Sequence, residues 1–150
     1  MDKEVIRLGR EDYDAIVSLW EAFVGATHAF LRERDRIHIK QRMKSAYLPF
    51  VDLYGIRQGD RLAAFAGVGA KKIEMLFVDP SHFGQGYGKR LLRYAIDELG
   101  AVLVDVNEQN EGALAFYRHE GFRVMSRDEK DGQGWEYPTL HLEWAGEKTE

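Results

Sequence analysis

The segment Ser81-His82-Phe83-Gly84-Gln85-Gly86-Tyr87-Gly88-Lys89-Arg90 alternates three glycines and then presents two cations. A strand pattern from Ile73 to Val78, stopped by Asp79-Pro80, leads into it, and a helical pattern with Leu91, Leu92, Tyr94, Ala95 and Leu99 leads out. Glycines at this spacing let the main chain approach a ligand and take dihedrals closed to other residues. A helix starting there points unpaired N–H groups and the positive end of its dipole at the loop, which suits phosphate oxygens without any charged side chain. Two nucleotide patterns fail on spacing. A Walker loop needs glycine where Phe83 sits and a hydroxyl where Arg90 sits, and a Rossmann fingerprint needs glycine at Lys89 or Leu91. Taken alone, the trio is equally a turn that binds nothing or a phosphate cradle.

Other chemistries find little support. The 150 residues contain no cysteine, which removes disulfides, thiolate metal sites and a cysteine nucleophile. The five histidines (28, 38, 82, 119 and 141) form no HExxH pattern, so no metal is expected. None of Ser18, Ser45, Ser81 and Ser126 lies in a nucleophile elbow. A net charge of −4 argues against a broad nucleic-acid footprint. No stretch approaches the roughly 20 apolar residues of a membrane span, and Met1-Asp2-Lys3-Glu4 lacks the order of a signal peptide. A cytoplasmic location is the expectation.

The elements that must position the glycine loop are legible from periodicity. Val5 to Leu8 alternates as a short strand. From Asp12, residues Tyr13, Ile16, Val17, Trp20, Phe23 and Val24 recur at helical spacing up to Gly25. A less regular helix is expected over 32–47, closed by Leu48-Pro49. Val51 to Arg57 and Leu62 to Val68 read as a hairpin about Gly59-Asp60. Past the loop and its helix come a strand over 102–106 of the doubly buried kind, a helix over 112–119, a strand from Phe122 and a last strand near 137–144. A turn at Asp131-Gly132-Gln133-Gly134 separates the last two, and a polar tail from Ala145 is expected to fray. With no repeat or linker, 1–150 reads as one domain: an α/β mixed sheet with helices on its faces.

Two motifs then narrow the reading. Val78-Asp79-Pro80 followed by Gly84-Gln85-Gly86-Tyr87-Gly88 and Leu91-Leu92 is one; Asn107-Glu108-Gln109-Asn110, then Ala113 to Tyr117 and Gly121-Phe122, is the other. In this order the chain resembles the GNAT superfamily of acyl-CoA-dependent N-acetyltransferases, over nearly its whole length. Ala26 to Leu31 is further similar to small bacterial members. The resemblance implies a mostly antiparallel central sheet flanked by helices on both faces. It implies acetyl-CoA as cosubstrate and an amine as acceptor, with no nucleic-acid or membrane partner, and it admits a homodimer.

The resemblance also implies roles. Main chain at Leu76, Phe77 and Val78 pairs with the pantetheine arm, with the Leu76 N–H as oxyanion donor. Successive N–H groups over Phe83, Gly84, Gln85, Gly86, Tyr87, Gly88 and Lys89 receive the pyrophosphate. Phe83 stands where the family usually has Arg or Gln, which removes one side-chain contact but leaves the backbone cradle. Asn110 is a helix N-cap by its position, and by resemblance a contact to a pantetheine amide. Phe116 is core or channel lining. Tyr117 is a packed helix residue or the general acid that returns a proton to the CoA thiolate. An alkylammonium with pKa about 10.4 must lose a proton before it attacks. Glu74 is the first candidate base, because strand alternation puts it on the side of Leu76 and Val78. Asp105 and His28 follow. Trp20, Phe23, His28, Phe30 and Leu31 form the expected acceptor wall, with Trp135 as a lid. Direct attack in a ternary complex is implied, since no nucleophile is present for an acetyl-enzyme. The rival reading is a non-catalytic acyl-CoA-binding module.

Overall fold

The uninterrupted apolar run Leu62 to Val68 on β3 (Arg61–Gly69), beside Leu53, Gly55 and Ile56 on β2 (Asp52–Gln58), is buried on both faces, so both faces require a cover. The computed structural model describes residues 4–146 and divides into two compact units, up to Ala101 and from Val102. In the first, β1 (Ile6–Arg7), β2, β3 and β4 (Lys72–Val78) pair antiparallel in chain order. Helix α1 (Tyr13–Thr27) covers one face, burying Ile16, Val17, Trp20 and Val24 with Leu53 and Phe65. Helix α3 (Tyr87–Leu99) belongs to the other face, where Tyr87 and Leu91 pack with Ile56, Ala64 and Ala66. The expected helices on both faces of a mostly antiparallel sheet are present.

Asp12 fixes where α1 begins. Its carboxylate accepts the Gly9 N–H at 2.9 Å and the Arg57 guanidinium at 2.5 Å, tying the helix start to β2. The helix passes through Gly25, whose lack of a side chain lowers helix propensity without removing the N–H, and ends at His28, whose N–H reaches the Val24 carbonyl. The second helix is shorter than expected. Helix α2 (Glu33–Arg42) gives way to a π turn over Met43–Tyr47 and a 3-10 turn over Leu48–Phe50 that contains Pro49. Buried Met43 and Leu48 anchor this irregular stretch.

Strand β4 carries a bulge. Gly67 faces Met75 and Val68 faces Ile73, which leaves Glu74 as the extra residue. Beyond it, Phe77 packs on the α1 side, and Leu76 and Val78 on the α3 side.

In the second unit β5 (Leu103–Asn107) and β6 (Phe122–Asp128) both pair antiparallel with β7 (Thr139–Trp144), which lies between them. Helix α4 (Glu111–His119) connects β5 to β6. Against expectation, β5 is not buried on both faces: Val104 and Val106 are buried, while Leu103 and Asp105 are exposed. Strand β7 starts at Thr139, because the Tyr137 N–H turns back to the Trp135 carbonyl and Pro138 offers no N–H. Gly121 leaves α4 at φ +107°, and a Cβ there would lie 2.8 Å from both the Gly146 carbonyl oxygen and the Trp144 ring nitrogen. Only glycine fits. The Ala145 N–H is bonded to the Gly121 carbonyl at 2.8 Å, so the expected fraying does not begin there, and 147–150 lie outside the described residues.

Candidate active site

The glycine loop is built from its first residue. Asp79 donates its N–H to the Ala63 carbonyl, and its carboxylate accepts the Ser81 N–H at 3.0 Å and hydroxyl at 2.9 Å. Burial alone would raise the Asp79 carboxyl, but the Ser81 bonds and the nearby His82 and Arg61 charges hold it below its ordinary value. Gly84 and Gly86 then take φ of +80° and +81°. A Cβ at either would meet nothing within 4 Å, so glycine is required there by backbone conformation and the space in front stays open. Gly86 is also the N-cap of α3 and offers no capping side chain.

The first-turn N–H groups of Tyr87, Gly88 and Lys89 therefore have no partner inside the helix, and the Arg90 N–H is the one that returns to the Gly86 carbonyl, at 3.0 Å. At the head of a thirteen-residue helix, with Lys89 and Arg90 in place of any acidic residue, these groups suit a pyrophosphate. Tyr87 has only its main chain to offer a ligand. Its ring is buried, and its hydroxyl donates to Gln58 at 2.9 Å, locking the start of α3 to the end of β2.

Ahead of the loop, Leu76, Phe77 and Val78 turn their side chains into the two cores, leaving main chain as the part that can meet a ligand. Phe77 touches Phe65 on β3 (centroids 5.2 Å apart) and Phe23 on α1 (5.0 Å). Phe23 also meets His28 at 5.7 Å and Phe83 at 6.1 Å, and His28 meets Phe30 at 5.1 Å. The structure thus joins three of the expected acceptor residues to β4 and to the loop. Leu31 packs on the α1 core beside them. Trp20 does not belong to this wall: at 5% exposure it is core, on the buried face of α1. Phe83 is 45% exposed and uses its ring on Phe23, a contact that the lone departure from the family pattern did not suggest.

Thr27, inside the Ala26 to Leu31 segment, carries no role expected from the sequence. Its hydroxyl lies 2.7 Å from the Phe23 carbonyl and 2.6 Å from His28 Nδ1. The signal was a threonine in the last turn of a helix followed directly by histidine. Burial holds the His28 imidazole below its ordinary pKa.

Glu74 is exposed. The alternation that was to place it beside Leu76 does not carry through the bulge in which it sits.

In the second unit, Asn110 caps α4, accepting the Ala113 N–H at 3.1 Å. Tyr117 is buried between Phe116 (5.1 Å) and Phe122 (5.5 Å), and burial raises its hydroxyl well above the usual tyrosine value. Asp105 is committed elsewhere. His141 on β7 contacts Asp105 through Nδ1 and Asp128 through Nε2, both at 2.7 Å. Two carboxylates at the two ring nitrogens call for a hydrogen on each, so the ring is an imidazolium, and its pKa is raised by the bonds to Asp105 and Asp128. This engagement with His141, and not with an acceptor amine, counts against Asp105 as base. Trp135 is half-buried in the β6–β7 turn, its N–H on the Asp131 carboxylate at 3.0 Å and its ring on Tyr137.

The family described as acetyltransferase (GNAT) domain matches residues 51–124. The peptidyl-lysine N-acetyltransferase YjaB of Escherichia coli (strain K12) is 33% identical over 141 residues, covering 93% of this chain and 95% of that protein. The chain belongs to the GNAT superfamily. It is an acetyl-CoA-dependent N-acetyltransferase. The solution structure of apo YjaB from Escherichia coli superposes on this acetyltransferase with a TM-score of 0.88 at 32% identity, over 98% of this chain and all of that one. The PaiA N-acetyltransferase of Thermoplasma acidophilum, crystallised with coenzyme A, shares the fold at a TM-score of 0.74 and 20% identity, over 96% and 99% of the two chains.

Proposed function

We propose that this acetyltransferase moves the acetyl group from acetyl-CoA to the side-chain amine of a protein lysine, by direct attack in a ternary complex in the cytoplasm. The observation that carries the transfer is the uncapped start of α3 behind Gly84 and Gly86, directly after β4. The lysine acceptor is supported by the full-length similarity to a peptidyl-lysine N-acetyltransferase. A protein N-terminus or a small primary amine fits the same chemistry.

Acetyl-CoA supplies the activated thioester when bound. The N–H groups from Gly84 to Lys89 hold its pyrophosphate, the expected Phe83 N–H being taken instead by the Pro80 carbonyl at 3.3 Å, and main chain at Leu76, Phe77 and Val78, with Asn110 and Phe116, holds the pantetheine arm. The Leu76 N–H faces the carbonyl oxygen, where a fixed donor stabilises the charge that develops. Tyr117 holds its proton at working pH, as an ordinary tyrosine does, and burial holds it more firmly. In this reading its proton goes to the departing sulfur as the carbon–sulfur bond breaks. Glu74, exposed on the bulge, leaves a carboxylate in water that draws a cationic acceptor.

Initial velocities measured with acetyl-CoA and a lysine-containing peptide varied together test the ternary complex. Intersecting double-reciprocal lines are expected. Parallel lines would mean an acetyl-enzyme, and would remove direct attack.

A further inference from the structure

The hydroxyl of Thr27 has one hydrogen and two close neighbours. The Phe23 carbonyl, 2.7 Å away, has no hydrogen to offer, so the threonine must donate to it. The 2.6 Å contact between Thr27 Oγ1 and His28 Nδ1 then needs its hydrogen from the ring. His28 Nδ1 is therefore the donor, and in the neutral imidazole the lone pair lies on Nε2.

The surroundings of the ring suit that state. His28 ends α1 with its own N–H fixed to the Val24 carbonyl at 2.8 Å, and its carbonyl accepts the Leu31 N–H at 3.0 Å. Its ring faces Phe23 and Phe30, and the α1 hydroxyl of Thr27 lies against Nδ1. Burial favours the uncharged form. Phe23 in turn lies against Phe77, which sits between Leu76 and Val78 on β4. One aromatic ring thus separates His28 from the strand assigned to the thioester. Neither carboxylate candidate combines these properties: Glu74 is exposed on a bulge, and Asp105 already accepts from an imidazolium.

We propose that His28 takes, at Nε2, the proton that the acceptor amine sheds, and that Thr27 is the positioning residue that keeps the other ring hydrogen on Nδ1. The proposal rests on the acetyl-transfer reading and supplies its base. As the amine nitrogen bonds to the acetyl carbon, the carbon–sulfur bond breaks. One proton passes from nitrogen to Nε2, the sulfur takes one from Tyr117, and both side chains re-equilibrate with water. A base of this kind contributes on the order of 10²- to 10⁴-fold.

The test combines ring NMR with kinetics. In the wild-type protein, nitrogen-15 shifts of the His28 ring should show the hydrogen on Nδ1; a hydrogen on Nε2 in the neutral ring would overturn the proposal. His28→Gln should lower kcat about 100-fold, leave acetyl-CoA affinity unchanged, and abolish the fall in rate on the acid side. Thr27→Val should lower kcat about tenfold and release the tautomer, whereas Thr27→Ser should restore both. A purely structural threonine would change stability in Thr27→Val and leave the tautomer and pH profile as they were, which would overturn the positioning role. Amine-dependent turnover retained at the wild-type level in His28→Gln would sink the base alone. No amine-dependent thiol release by the wild type would sink the transfer reading and the base together.

Discussion

Phe83 meets Phe23 edge to face, with ring planes at 89° and centroids 6.1 Å apart. The contact ties the glycine loop to the last turns of α1, at the position where the family usually carries a polar side chain.

Phe83→Ala should therefore weaken two things at once. The lost aromatic pair is worth about 1 kcal/mol, read as a lower Tm. The loop released from α1 should raise the Kd for coenzyme A a few-fold. Phe83→Arg trades the ring for a charged group facing phosphate, and should tighten coenzyme A while still lowering Tm. Calorimetric titration with coenzyme A, beside thermal melts, checks both.

Gly86→Ala isolates the backbone requirement. The position has room for a Cβ but holds φ at +81°, which costs an L-residue about 1–2 kcal/mol. If the loop keeps its shape the protein is less stable by about that amount. If it relaxes, coenzyme A affinity falls about tenfold. An unchanged Tm together with an unchanged Kd would contradict the assignment of the cradle.

The clasp of His141 between Asp105 and Asp128 makes stability depend on pH. Its folded pKa is raised above the ordinary 6.5, so its contribution is complete below that value and is lost as pH rises through the folded pKa. With the imidazole 35% exposed, solvent screening keeps the effect small. The Tm difference between wild type and His141→Gln should be largest near pH 6 and should shrink as pH rises through the folded pKa. A difference independent of pH would mean that the ring is not charged. Proton NMR titration of His141 reads the same pKa directly.

Tyr117→Phe keeps the ring packed on Phe116 and Phe122 and removes only the hydroxyl. Turnover should fall by about 10²-fold or more, with coenzyme A affinity nearly intact. Turnover at the wild-type level would take Tyr117 out of the mechanism.

The sequence made legible what depends on local spacing. The α3 start behind Gly84 and Gly86, the Asn110 cap and the α1 face of Ile16, Val17, Trp20 and Val24 are all written within a few residues of one another. What escaped depends on tertiary register. Glu74 was placed by alternation, and a single bulge opposite Gly67 and Val68 removed the basis for that. The engagement of Asp105 is hidden from the sequence because its partner His141 comes from β7, where a second register shift at Met125 sets His141 opposite Ser126 and leaves Asp128 of β6 close enough to bond the same ring. Trp20 has the same helical spacing as Phe23, yet it points into the core while Phe23 reaches Phe77 and Phe83. Periodicity distinguishes apolar from polar positions, but not a core position from the edge of a site.

The central assignment is transfer of an acetyl group from acetyl-CoA to an amine. The direct measurement incubates the protein with acetyl-CoA and a lysine-containing peptide, and follows free thiol together with the peptide's mass. One acetyl group on the lysine for each thiol released, with both dependent on peptide, is the predicted result. Tight binding of coenzyme A without peptide-dependent release, across lysine, N-terminal and small amines alike, would contradict it and leave a non-catalytic acyl-CoA-binding protein.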